Sequence, residues 1–154
     1  MKTMQSLFLA AVVAITFSCS KSEPEAPTPT PPAAATNEGT FTATIGTESF
    51  ATNDVTLAKV SAGGTQAITA TGTNGKSFSS AIFPAQFPIG QAVNIAYSSS
   101  MTYIGNNVQY IAKSGTMTLT VMENYKRMKG TFTGVFIAGA TEVNITGAFD
   151  VSNP

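Results

Sequence analysis

The chain has no histidine, no tryptophan and one cysteine in 154 residues, and only 10% of its residues are charged. Each shortage removes a class of chemistry. Without histidine there is no triad that uses an imidazole base. Histidine-based zinc sites are excluded, and a lone cysteine cannot build a thiolate site. The formal net charge is zero, so the electrostatic signature of a nucleic-acid binder is missing. No calcium loop of the DxDxDG kind is present. Ser61 to Gln66, "SAGGTQ", has glycines but neither the lysine nor the following helix of a phosphate loop, and reads as a turn. The longest apolar run, Leu7 to Phe17, falls short of the roughly 20 residues that a membrane-spanning helix needs. No metal and no cofactor is expected.

What is present begins with that run. Lys2 supplies a positive start, "LFLAAVVAITF" an apolar stretch of signal-peptide length, and Ser18 and Cys19 a small-residue boundary. Residues 1–18 therefore read as an export signal. Exported domains usually hold cysteines in disulfide pairs, and this one has no partner for Cys19. The setting resembles the lipobox of bacterial lipoproteins, in which the cysteine becomes the lipidated first residue of the mature chain. Thr16 stands where leucine is more usual. The "SCSK" ending resembles lipoproteins of the Bacteroidetes. That likeness implies several acyl chains on Cys19 and a durable anchor, since one chain alone holds only marginally.

Residues 19–38 comprise the lipidated Cys19 and a proline-rich linker. "SKSEPEAPTPTPPAAATNE" has no hydrophobic period and much proline. It cannot bury enough surface to fold and leans toward extended polyproline II, as a disordered spacer. Lys21, Glu23 and Glu25 resemble the signal that sends some Bacteroidetes lipoproteins to the outer leaflet. The expected location is the outer membrane, on its periplasmic face or at the cell surface.

From Gly39 the pattern becomes alternation. Phe41, Ala43 and Ile45 alternate with threonines. So do Met117, Leu119 and Val121, and Val143, Ile145, Gly147 and Phe149 alternate with Asn144, Thr146, Ala148 and Asp150. A period of two with one apolar face means half-buried antiparallel strands. Threonine, roughly one residue in seven, suits the wet face of a pleat without adding charge. Turn signals separate the runs at Gly46, at Asn74-Gly75, at Asn106-Asn107 and at Tyr125. Pro84 and Pro88 mark a loop or an edge. Strands are expected near 40–45, 48–52, 55–61, 65–72, 77–83, 92–99, 101–104, 108–113, 115–122, 129–138 and 142–151, with no helix. Residues 39–154 thus form an all-β domain, an antiparallel meander of about ten short strands closed as a barrel or folded as a sandwich.

Two stretches carry a family likeness. "FTATIGTESFAT" resembles the F-x-A-x-I-n-G-x-x-F-x-A opening of the DUF6252-type lipoproteins of Bacteroidetes. "SGTMTLTVMENYKRMKGTFTGVFIAG…VNITGAFDV" resembles their closing hairpin. Thr47 stands where that family more often has an NGK or NGE turn. The resemblance implies a lipid-anchored β-domain of calycin-like kind and carries no catalytic residue.

Carboxylates are few. Glu142 and Asp150 share a strand parity but lie about 26 Å apart along it, too far for a glycosidase pair. Lys113 and Ser114 are strand neighbours, which point to opposite faces. No catalytic residue is assigned. Tyr97, Tyr103 and Tyr110, set among serines and asparagines, are candidate ligand contacts, because a tyrosine ring stacks while its hydroxyl bonds. The alternative is that they lie at the core margin with their hydroxyls in water. Lys126, Arg127 and Lys129 are a candidate anion contact, against a solvated hairpin tip. The expected function is non-catalytic. An envelope protein held to the membrane through Cys19 would bind a glycan, lipid, peptide or partner protein, with no nucleic acid. The alternatives are a carboxylate-dependent hydrolase of glycans, or a structural accessory of an outer-membrane assembly.

Overall fold

A computed structural model describes residues 38–60 and 64–153. The export signal, Cys19 and almost all of the spacer lie outside the described residues. Ten strands form one antiparallel sheet: β1 (Glu38–Ile45), β2 (Glu48–Thr52), β3 (Val55–Lys59), β4 (Gln66–Thr71), β5 (Ser77–Ile82), β6 (Ala92–Asn94), β7 (Ser99–Gly105), β8 (Val108–Glu123), β9 (Arg127–Ala138) and β10 (Thr141–Ser152). The lateral order is β2-β1-β10-β9-β8-β7-β5-β4-β3, with β6 beside β8. The two outermost strands, β2 and β3, are consecutive in the chain and joined by only Asn53 and Asp54. They act as one bent strand, whose first half pairs with β1 and whose second half pairs with β4. Counted so, and with β6 set aside, the sheet is an eight-membered up-and-down ring, a nearly closed barrel.

Side chains seal the bend where the ladder stops. Thr52 Oγ1 donates to the Thr71 carbonyl at 2.6 Å and accepts the Asp54 N–H at 3.0 Å. The Thr71 N–H donates to the Asp54 carbonyl at 2.9 Å. Closure leaves few ladder groups unpaired, which is how barrels avoid open edges.

The turns behave as their residues dictate. Asn74 and Gly75 both have positive φ (58° and 70°), as do Asn106 and Asn107 (53° and 60°), the geometry of type I′ hairpins. The expected runs 108–113 and 115–122 merge into β8, with a bulge between Ala112 and Ser114. The expected strand 92–99 is instead β6 followed by a single helical turn, α1 (Ile95–Ser98). Asn94 starts that turn, its Oδ1 accepting the Ala96 N–H at 2.9 Å. Four residues are too few to show a helical period, so alternation was the only pattern to read. Pro84 and Phe87 bracket the other irregular piece, a 3₁₀ turn over Pro84–Gln86.

The interior is filled with rings. Phe41 packs on Phe78 (centroids 4.9 Å), Phe132 (5.7 Å), Phe50 (5.9 Å) and Phe149 (6.3 Å). Phe78 extends the cluster to Tyr103 at 4.8 Å. Phe87 and Ile95, both fully buried, join it from the β5–β7 connection. The rings fit because glycines face them. Gly147 is the register partner of Phe132, and Gly130 of Phe149. A Cβ on Gly147 would lie 2.6 Å from the Phe132 ring and 2.6 Å from the Thr42 carbonyl oxygen.

Gly147→Ala is expected to destabilise the domain by about 1–3 kcal/mol through overpacking. Phe41→Ala, which opens the centre of the cluster, should cost about 3–5 kcal/mol. Urea unfolding followed by circular dichroism measures both; a Gly147→Ala midpoint at or above wild type would contradict the seating of Phe132.

Candidate functional site

The ring arrangement gives the barrel two unlike rims. One carries only tight turns: β1–β2 at Gly46, β4–β5 at Asn74, β7–β8 at Asn106 and β9–β10 at Gly139. The other carries the β3–β4 loop, the long β5–β7 connection and the β8–β9 turn. The chain also enters there at Glu38, opposite Ser152 at the end of β10. Lys59 Nζ, at the end of β3, lies 5.1 Å from the centroid of Tyr125 in the β8–β9 turn, so two of these connections meet. An open groove of about 370 Å³ runs between them, lined by Gly64, Gln66, Pro84, Ala85, Met122 and Asn124.

The three candidate tyrosines are split. Tyr103 points inward on β7 and is buried; Tyr110, its register partner on β8, stacks on it at 5.7 Å. Burial pushes the Tyr103 phenol above its ordinary value. Tyr97 sits on α1, 86% exposed, and is not on a strand at all. Parity held the signal for Tyr103, which alternates in phase with Met101 and Gly105. The Asn94 cap, invisible as periodicity, moved Tyr97 away.

The three candidate cations are on the β8–β9 turn and the start of β9. Arg127 grips Asp150 with two bonds, Nε to Oδ1 at 3.0 Å and Nη2 to Oδ2 at 2.9 Å, and Lys129 Nζ lies 3.3 Å from Oδ2. The Arg127 guanidinium, and then Lys129, hold the Asp150 carboxyl below the usual range against the opposing effect of burial. Two of the three charges are thus already answered inside the domain. Lys126 has no acidic partner among the described residues. On the tight-turn rim Lys76 pairs with Glu48, which lowers the Glu48 carboxyl and raises the lysine. Lys113, at the bulge, pairs with Glu142 rather than with Ser114.

Chemically, the described residues offer no group of three or more acidic or thiol side chains placed to hold a metal ion. Asp150 and Glu142 each serve an ion pair on the outer face. The gap in the barrel interior bounded by Phe41, Ile68, Phe78, Met101, Met117 and Phe149 is too small to hold a water molecule. Two buried polar atoms, Gln66 Oε1 and Ser80 Oγ, have no hydrogen-bond partner among the described residues. Ser80 borders the filled interior, and Gln66 the groove on the second rim. Sequence reasoning singled out neither, because a polar residue in phase with apolar ones looks like any other strand position.

The Asp150 cluster generates a pH dependence. A carboxyl whose folded value is depressed stabilises the fold fully above the unfolded value, about pH 4, and loses that contribution as pH falls through the folded value. Asp150→Asn should therefore lower the urea midpoint at pH 7, and the difference from wild type should shrink as pH falls below about 4. A difference that stayed constant or grew on acidification would show that Arg127 and Lys129 draw nothing from the Asp150 charge. In comparisons of the chain with known proteins, no family model, no curated protein and no solved structure matches.

Proposed function

We propose that this is an exported envelope lipoprotein of the DUF6252-like kind, anchored through acylated Cys19 in the outer membrane, whose β-domain works by non-catalytic binding at its outer surface. The observation that carries the surface assignment is the ring-filled interior. A calyx that holds its ligand inside needs an apolar cavity of some hundreds of Å³, and here that volume belongs to Phe41, Phe78 and their neighbours. Contact is left to the outside of the barrel and its rims. The commitment of Glu48, Glu142 and Asp150 to lysine and arginine partners fits binding better than hydrolysis.

A second reading, an accessory of a larger envelope assembly, has one observation in its favour. Ile104 and Ile111 are exposed on the same outer face of a single hairpin, and clustered surface aliphatics often mark a protein contact.

Expression in the native organism tests the anchor. The wild-type protein is expected in the membrane pellet, with the mass of its first mature residue raised by acyl chains. Cys19→Ser should move it to the soluble fraction or leave it uncleaved. Native mass spectrometry of gently extracted protein then separates the two surface readings, since a stoichiometric protein companion favours assembly. A retained lipid or glycan favours ligand binding. An unmodified Cys19 on a secreted, soluble chain would end the proposal.

A further inference from the structure

Seven large apolar or aromatic side chains stand well exposed among the described residues. Three of them, Val60 (58%), Phe83 (44%) and Ile89 (51%), belong to the connections of one rim, the rim at which the chain enters through Glu38, whereas Tyr97 (86%) stands farther up the wall, on α1 beside the middle of β8. None is on a strand. Val60 directly follows β3, Phe83 directly follows β5, and Ile89 and Tyr97 belong to the same β5–β7 connection. Beneath them Phe87 and Ile95 are buried, which anchors that connection to the core. The Gly90 N–H donates to the Leu119 carbonyl at 2.8 Å and ties it to β8. The exposed tips are thus presented by a fixed loop.

Their polar company is cationic at its tips. Lys59 crosses to the Tyr125 ring, and Lys126 projects from the β8–β9 turn without an acidic partner among the described residues. The Asn153 N–H donates to the Lys126 carbonyl at 2.7 Å, so the C-terminal end of the domain braces that turn. The opposite rim differs. Its lysines, Lys76 and Lys113, are both neutralised by glutamates.

We propose that the rim bearing Glu38 docks on the surface of a lipid bilayer, with Phe83, Ile89 and Val60 in the interfacial layer and Lys59 and Lys126 among the headgroups. The inference rests on the lipid-anchor reading of Cys19. Bulky apolar and aromatic side chains at loop tips, with lysines beside them, are the side-chain set that the bilayer interface accepts. The tether selects this occupant over a soluble partner. From Cys19 to Glu38 there are 19 residue steps (38 − 19), and even fully extended as polyproline II they reach only about 60 Å. The anchor therefore keeps this rim near a membrane permanently. Weak apolar contacts suffice at the high effective concentration that a short tether imposes. Acidic Glu38, Glu123 and Asp150 share the rim, so the apolar tips rather than net charge carry the contact.

The absence of tryptophan makes a direct test available. The full lipoprotein is prepared with Phe83→Trp, and separately with Val108→Trp on the opposite rim. Each is reconstituted in phosphatidylethanolamine–phosphatidylglycerol vesicles, with and without bromine on the upper acyl chain. Bromolipid is expected to quench the Phe83→Trp reporter and to shift its emission to the blue, and to leave the Val108→Trp reporter unchanged. Adding Val60→Asp and Ile89→Asp to the Phe83→Trp chain should remove at least about half of that quenching while the melting temperature holds. Co-sedimentation reads the anchor independently. Protein that pellets with vesicles but shows no quenching at position 83, or equal quenching at both rims, overturns the docking and leaves the anchor standing. Protein that neither pellets nor quenches overturns both.

Discussion

Everything in this domain depends on aromatic rings lying where neighbouring strands have no side chain. Phe132 covers Gly147 and Phe149 covers Gly130, each pair directly opposed in the β9–β10 ladder. A large ring and a bare backbone position together make one ordinary residue pair in volume. That exchange lets a narrow barrel hold Phe41, Phe50, Phe78, Phe132 and Phe149 at centroid separations of about 5–6 Å, the range in which ring edges and faces attract. Glycine weakens a strand by itself, and the ring above restores contact and shields the ladder. The same trade appears at Gly72 under Phe50 and at Gly105 under Tyr103. The core is therefore a set of coupled ring–glycine seats, and the strand order follows from which seats must meet.

A filled interior moves the question of function outward. In a barrel with a cavity, the strands would supply a binding site and the loops its gate. Here the strands supply rigidity, and the two rims differ in what they offer. One is closed by turns with positive-φ residues and paired charges. The other presents loose side chains on a loop pinned by Phe87 and Ile95. Gln66 Oε1, which has no hydrogen-bond partner among the described residues, sits beside the groove on that second rim as well. That polar capacity, exposed apolar side chains and the point of chain entry coincide there, which makes it the chemically unfinished side of the molecule.

Much of the fold was legible because strand alternation and turn chemistry are local. Phe41, Ala43 and Ile45 announce β1 by themselves, and Asn74-Gly75 states its own turn. The merging of two expected strands into β8 was not legible, since a bulge at Lys113 and a turn both interrupt alternation. Nor was the β2–β3 bend, which looks like two separate strands until the ring that closes across it is known. The site was less readable for a further reason. Whether a tyrosine points in or out depends on strand parity, which served Tyr103, but a four-residue helix erased it for Tyr97. The charge of Lys126, Arg127 and Lys129 was plain in the sequence. That Asp150, 23 residues beyond Arg127, would answer two of the three is a product of register alone.

The pairing of β1 with β10 has a consequence in time rather than in space. Glu38 meets Ser152 and Ile45 meets Ile145, so the first strand made has no complete partner until the last one exists. Contacts between sequence-distant strands are slow to form, because the loop must close before they stabilise anything. Phe41, at the centre of the ring cluster, belongs to that first strand and packs against Phe132 and Phe149 from the last two. A chain lacking its final hairpin would hold Phe41 on an open edge, without Phe132 and Phe149, two of its four ring neighbours. For a protein exported as proposed here, that delay is useful. A polypeptide exported in that way would stay threadable while it crosses a membrane, with its C-terminal hairpin as the latch that commits it to folding on the far side.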